Sequence, residues 1–104
     1  MRLTRQDWRG PQAGWTPTSL GHWEVEVQRA GTYDITLRFD KLNTPGTLTV
    51  ALGERRAQRE VPAGATTATF NQLRLAAGAG RFEAWVTQGD RRLGMLDVVV
   101  RQPR

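Results

Sequence analysis

Residues 23–39 read WEVEVQRAGTYDITLRF, and they contain two runs in which apolar and polar side chains alternate. The apolar positions are Trp23, Val25 and Val27 in the first run and Tyr33, Ile35, Leu37 and Phe39 in the second. Because successive side chains of a β-strand point to opposite faces, this period of two indicates two half-buried strands. Arg29-Ala30-Gly31 separates the runs, and a glycine in a short connection is typical of a tight turn. The segment therefore predicts a β-hairpin.

The same period of two extends through most of the chain. It recurs in GTLTVALG (46–53) and RFEAWVTQG (81–89), whereas GMLDVVVR (94–101) indicates a last strand that is covered on both faces. RRAQREV (55–61) is polar enough to form an edge strand, because charged side chains at the edge of a sheet discourage pairing with other chains. RLT (2–4) is a short opening strand.

A change of parity interrupts this pattern at Asn71-Gln72. The apolar residues on either side are Ala68 and Phe70 before the pair and Leu73 and Leu75 after it. One extra residue in the strand, a β-bulge, would bring both sets to the same face. About eight short strands then follow from the sequence, with no convincing helix. We therefore predict an all-β fold, an antiparallel two-sheet β-sandwich of the jelly-roll type, forming a single domain over residues 1–104.

The composition excludes several kinds of site. The chain has no cysteine, so disulfides, thiolate nucleophiles and cysteine-ligated metals are excluded. His22 and Ser19 are the only histidine and serine, so a serine–histidine–acid triad would have to use both. No catalytic residue, metal ligand or cofactor is predicted. No apolar run approaches the ~18 residues of a membrane span, and no apolar segment follows the charges of residues 1–5, so neither a signal peptide nor a membrane partner is expected.

The charge balance is positive, with 15 basic residues, 10 acidic residues and a net charge of +5. Such a balance suggests an acidic partner. The arginines are scattered, however, with adjacent pairs at Arg55-Arg56 and Arg91-Arg92 and no longer basic run. This distribution favours a solvated surface over a site for a polyanion. Nucleic acid is therefore not predicted as a partner.

Three tryptophans stand where the alternation does not bury them. Trp8 and Trp15 lie in LTRQDWRGPQAGW (3–15), a stretch with the composition of a loop. We expect the loop at residues 8–21 to pack on the sandwich, because large aromatics are seldom left wholly exposed. Trp85 points outward, since parity assigns its two neighbours in the strand to the core. An outward tryptophan is either covered by protein or stacks on a sugar.

Four segments together resemble the C-terminal β-rich region of bacterial arylsulfatases. They are RLTRQDW (2–8), GW (14–15), GHWEVEVQRAGTYDITLR (21–38) and FEAWV with its following glycine (82–94). The resemblance implies that Asp7, Trp8 and Trp15 pack between this domain and a larger catalytic sulfatase domain of the same polypeptide. His22 and Trp85 are further candidates for contact with that domain or with a ligand.

On this resemblance the chain is a non-catalytic accessory domain of an arylsulfatase, packing on the catalytic domain and shaping substrate access. It lacks the C/S-x-P-x-R motif of that family, so it is not expected to be an enzyme by itself. Its location would be periplasmic or secreted if the parent enzyme is exported.

An independent carbohydrate-binding module is the alternative. In that interpretation Trp8, Trp15 or Trp85 stacks on sugar faces, and arginines bind the sulfate or uronate groups of a carbohydrate. A third interpretation, non-specific binding of polyanions, predicts steeply salt-dependent association and is disfavoured by the scattered arginines.

Overall fold

The computed structural model describes residues 2–10, 13–14 and 20–102, which form nine antiparallel strands in two sheets. The strands are β1 (Arg2–Thr4), β2 (Trp23–Val27), β3 (Gly31–Arg38), β4 (Gly46–Leu52), β5 (Arg55–Val61), β6 (Thr67–Leu75), β7 (Gly78–Gln88), β8 (Arg91–Gly94) and β9 (Asp97–Arg101). A 3₁₀ turn, Arg5–Asp7, follows β1. The predicted all-β sandwich is confirmed, with nine strands in place of about eight.

The two sheets differ in size and in the strands that border them. The four-stranded sheet has the order β1-β9-β3-β6. The five-stranded sheet has the order β2-β7-β4-β5, and β8 also pairs with β7. Because β2 pairs with residues 78–82 of β7 and β8 with residues 85–88, these two strands follow one another along the edge of β7 opposite β4. The polar strand β5 lies at an edge, as the sequence predicts.

The predicted hairpin between the first two long strands is wrong. β2 pairs with β7, whereas β3 pairs with β6 and β9, so the chain crosses from one sheet to the other between them. Gly31 begins β3 and is not among the glycines with positive φ, so it does not form a tight hairpin turn. Alternation reports only that one face of each strand is buried, and two strands that face each other across a sandwich satisfy it equally well.

The predicted bulge in β6 is confirmed. The register between β3 and β6 shifts between the pairs Tyr33–Leu73 and Ile35–Phe70, which leaves one extra residue in β6. Gln72 has φ of 57°, and its backbone N–H donates to Asp34 Oδ1 at 2.9 Å. This local kink lets the apolar residues on both sides of the bulge face the same core.

Trp23 is at the centre of the core between the sheets. Its side chain is buried with 1% exposure, and its indole N–H donates to the carbonyl oxygen of Thr4 at 2.7 Å. Its ring lies 5.5 Å from that of Trp8 and 6.1 Å from that of Phe82, both in tilted arrangements. The apolar positions of the opening sequence thus meet across the two sheets and do not pair within one hairpin.

An ionic cluster around Asp97 ties three strands of the four-stranded sheet together. Arg38 donates to Asp97 Oδ2 from Nη2 at 2.7 Å and from Nε at 3.1 Å, and Arg2 donates to the same oxygen at 2.9 Å. Burial favours the neutral acid, but the hydrogen bonds and charges of the two arginines outweigh it and lower the pKa of Asp97. The cluster links β1, β3 and β9.

We expect Asp97→Asn to lower the free energy of unfolding by about 1–3 kcal/mol at neutral pH, because the substitution removes the buried negative charge to which two arginines donate and weakens these charge-assisted hydrogen bonds. A carboxyl whose pKa is lower in the folded state stabilises the fold above its unfolded pKa of about 4 and loses that contribution as the pH falls further. The difference between wild type and variant should therefore shrink below about pH 4. Urea unfolding across this pH range measures it. Glu54→Gln in the exposed β4–β5 turn is the control, and an equal pH dependence in both variants would contradict the assignment.

Candidate ligand-binding groove

Residues 5–10, which follow β1 and are called the leader here, are anchored in their own domain through Trp8. Trp8 is 8% exposed and contacts the ring of Trp23, and the Arg5 guanidinium lies 4.7 Å from its ring centroid. A Cβ atom at Gly21 would come within 2.7 Å of the Trp8 ring, so a glycine is needed where the chain passes over it. Asp7 is exposed, and Trp15 lies outside the described residues.

The leader then pairs with the segment ahead of β2. Arg9 and His22 form a two-residue antiparallel bridge, with N–H to O=C distances of 2.8 and 2.9 Å in the two directions. Both residues line a groove together with Arg81, Glu83 and Trp85 of β7, so the bridge lies beside the outer face of the five-stranded sheet. His22 is half-buried there, and Arg9 forms an exposed ion pair with Glu24 at 2.8 Å.

Trp85 lies on the outer face of that sheet, as parity predicts. Its neighbours in the strand, Ala84 and Val86, are buried in the core. Its cross-strand partners are Thr49 of β4 and Gly94 of β8. Thr49 is 2% exposed although it belongs to the outer face. Trp85 is half-buried, and Gly94 has no side chain to cover it on that flank.

Two arginines, one on β5 and one on β8, lie over the Trp85 ring. The guanidinium carbon of Arg56, on β5, lies 5.8 Å from the ring centroid, and that of Arg92, on β8, lies 5.2 Å from it. Both are within the distance at which a guanidinium is attracted to an aromatic face. Both side chains are exposed, so they can move when a ligand arrives.

A groove of about 420 Å³ runs past this ring between the leader and the sheet. Its charged lining consists of Arg9, Arg56, Arg81, Arg92 and Glu83, with His22 at one side. Among the described residues, Arg56, Arg81 and Arg92 form no ion pair with a carboxylate. Four guanidinium groups against one carboxylate give the groove a positive potential.

Comparison with known proteins identifies solved structures of similar fold. No family model and no curated protein matches the sequence. Among solved structures, CBM35 from Cellvibrio japonicus Abf62 is similar with a TM-score of 0.69 and 14% identity over 100% of this chain and 95% of that one. The carbohydrate-binding module CBM6cm-2 of Cellvibrio mixtus lichenase 5A, solved with cellotriose, is similar with a TM-score of 0.70 and 18% identity over 100% and 98%. The chain has the fold of a carbohydrate-binding module.

The same fold also occurs inside a larger enzyme. A ruminal GH26 endo-β-1,4-mannanase is similar with a TM-score of 0.71 and 16% identity. The match covers 100% of this chain and 26% of the mannanase chain, so this chain spans about a quarter of that protein.

The prediction of an arylsulfatase accessory domain is wrong. Solved structures that match over nearly the full length of both chains are carbohydrate-binding modules. The resemblance rested on positions such as Trp8, Trp23 and Leu37, which are buried in the core of this domain. Similar alternation is expected wherever strands of a sandwich pack in this way, so these positions report the fold and not the parent protein.

The structure brings together only part of the predicted site. Trp85 and His22 line the groove, whereas Asp7 and Trp8 do not. The groove arginines were missed because they come from the leader, β5, β7 and β8, and only the register of the strands brings them together. Arg81 could have been assigned to the site from the sequence alone. It lies two positions from Glu83 and four from Trp85 on the same strand, so the three side chains share the outward face.

Two further observations bear on the chemistry of the described residues. They contain no group of three or more histidine, aspartate or glutamate side chains that could hold a metal ion. They also contain no helix with the length and apolar character of a membrane span.

Proposed function

We propose that the chain is a carbohydrate-binding module and that its sugar site is the groove at Trp85. The observation that carries the proposal is the half-exposed Trp85 ring on the outer sheet face, at a groove lined by hydrogen-bond donors. The fold shared with carbohydrate-binding modules supports it. The chain would then act by binding, as the alternative interpretation of the sequence predicts.

The chemistry of the groove suits a pyranose. One face of many pyranose rings presents C–H groups, which pack on an indole, while their hydroxyls and ring oxygen accept hydrogen bonds at the rim. The guanidinium groups of Arg56 and Arg92 are donors at that rim and accept nothing. A volume of about 420 Å³ is within the ~300–1,000 Å³ of pockets that hold small ligands.

The arginines at the Trp85 ring do not block this mode of binding. An exposed cation–π contact contributes about 0.5–1 kcal/mol, so a sugar that stacks on the ring displaces a guanidinium at small cost. A displaced guanidinium remains close enough to donate to the ligand. The contacts in the free protein therefore hold the ring and its donors near one another.

We expect Trp85→Ala to weaken glycan binding about thirtyfold, since truncating an aromatic residue at the centre of a binding site costs ~2 kcal/mol or more. A glycan array identifies a ligand for the wild type, and calorimetry then compares the variants. Trp85→Tyr keeps a stacking ring and should retain most of the affinity. Thr36→Ala, at an exposed position of the four-stranded sheet, is the control. The absence of saturable glycan binding by the wild type, or undiminished binding by Trp85→Ala, would contradict the proposal.

A further inference from the structure

We infer that the groove selects glycans that carry a negative group, a carboxylate or a sulfate, beside the sugar that stacks on Trp85. This inference rests on the proposed function and specifies its ligand class. Three features support it: the placement of the groove arginines, their lack of acidic partners among the described residues, and the geometry of the guanidinium group.

The strand register places cationic side chains on both sides of the ring along the sheet. Ala51 pairs with both Arg56 and Glu83, so Arg56 belongs to the row that crosses β7 two residues before Trp85. Arg92 pairs with Thr87, two residues after Trp85. Each row is about 7 Å from Trp85 at ~3.3 Å per residue. A charged substituent at either side of a stacked sugar therefore faces a guanidinium.

These guanidinium groups are available to a ligand. Arg56, Arg81 and Arg92 have no carboxylate partner within ion-pair distance among the described residues. The other arginine of the groove, Arg9, shares its charge with Glu24. A bound anion would thus form new charge-assisted hydrogen bonds and would not have to replace existing ones. Guanidinium forks match the two oxygens of a carboxylate or sulfate, so such bonds are strong and directional.

The arrangement fits a charged sugar better than a nucleic acid. The four arginines converge on one short groove, whereas affinity for a duplex comes from many phosphate contacts along a strand. Glu83 lies within the same groove, and its carboxylate offsets part of the positive charge there. A glycan with one anionic group beside a stacked ring satisfies both the cations and the aromatic surface.

Matched polysaccharide pairs test the inference. Polygalacturonate is compared with its methyl ester, and dextran sulfate with dextran, by calorimetry or affinity electrophoresis at ~0.15 M salt, where long-range attraction is screened. We expect the wild type to bind at least one charged member about tenfold or more tightly than its neutral counterpart, as one charge-assisted hydrogen bond can supply. The pair that shows the preference identifies the anion as carboxylate or sulfate.

The variants separate specific contacts from charge. Arg56→Ala/Arg92→Ala should remove the preference for the charged member, and Arg56→Lys/Arg92→Lys should restore only part of it because lysine lacks the planar fork. The control is Arg74→Ala/Arg101→Ala, which removes the same charge at exposed positions of the four-stranded sheet. It should leave binding unchanged within about twofold, because these residues lie on the other sheet, away from the groove.

Three other outcomes would contradict the inference, and one of them would also contradict the proposed function. Equal binding of charged and neutral members, lost in Trp85→Ala, would overturn the inference and leave the proposed function intact. Binding to no glycan would overturn both. Equal affinity for an oligonucleotide that does not depend on Trp85 would show attraction by charge alone and would overturn the anionic-sugar site.

Discussion

Trp23→Ala is expected to lower the free energy of unfolding by about 3–5 kcal/mol, as large-to-small core substitutions of aromatic residues do. Trp23 is 1% exposed and contacts the rings of Trp8 and Phe82. Its removal opens a cavity between the sheets and leaves the carbonyl oxygen of Thr4 without the indole donor at 2.7 Å. Because small domains are stable by only ~5–15 kcal/mol, a large share of the stability would be lost.

Thermal or urea unfolding followed by circular dichroism measures this effect. Trp23→Phe is the milder variant: it keeps a ring in the core but has no donor for Thr4, and it should cost less than the alanine substitution. Trp85→Ala is the matched control, because the same residue type at a half-exposed position should cost no more than about 1 kcal/mol. Equal destabilisation by Trp23→Ala and Trp85→Ala would contradict the assignment of one ring to the core and the other to the groove.

The alternation of side chains predicts the faces of the strands but not their partners. It identifies the buried side of β2, β3, β4 and β7, and the parity change at Asn71-Gln72 predicts the bulge. Pairing is decided by which edges meet after the sheets stack, which depends on contacts far apart in sequence. The chain crosses between sheets after Val27 and pairs Trp23 with Phe82, 59 positions later, and nothing in the local pattern distinguishes this from a hairpin.

The sequence likewise predicts only part of the candidate site. The outward position of Trp85 follows from the parity of its own strand. The arginines at its ring do not, because Arg56 and Arg92 belong to edge strands whose positions are set by pairing with β4 and β7. Arginines that look scattered along the sequence thus converge in space. The positive charge of the groove is a consequence of register, which composition does not report.

Arg5→Met is expected to destabilise the fold by about 3 kcal/mol, because it leaves buried carbonyl oxygens without donors at ~1–3 kcal/mol each. The buried Arg5 side chain donates from Nε to the carbonyl oxygen of Met95 at 2.8 Å, and from its terminal nitrogens to those of Gly14 at 3.3 Å and Gly94 at 3.4 Å. Burial lowers the pKa of Arg5, partly offset by the charge of Asp40, yet a guanidinium stays protonated at neutral pH.

The Arg5 contacts connect the leader to the β8–β9 connection, so their loss should also loosen the packing around Trp8. Chemical unfolding gives the stability, and quenching of tryptophan fluorescence by iodide should become more efficient in Arg5→Met than in the wild type. Arg9→Met is the control, since its exposed ion pair with Glu24 contributes only ~0–1 kcal/mol. A buried cation can sometimes be replaced by an apolar side chain without loss. Unchanged stability and quenching in Arg5→Met would therefore show that packing of the arginine stem, and not its hydrogen bonds, holds the leader on the sandwich.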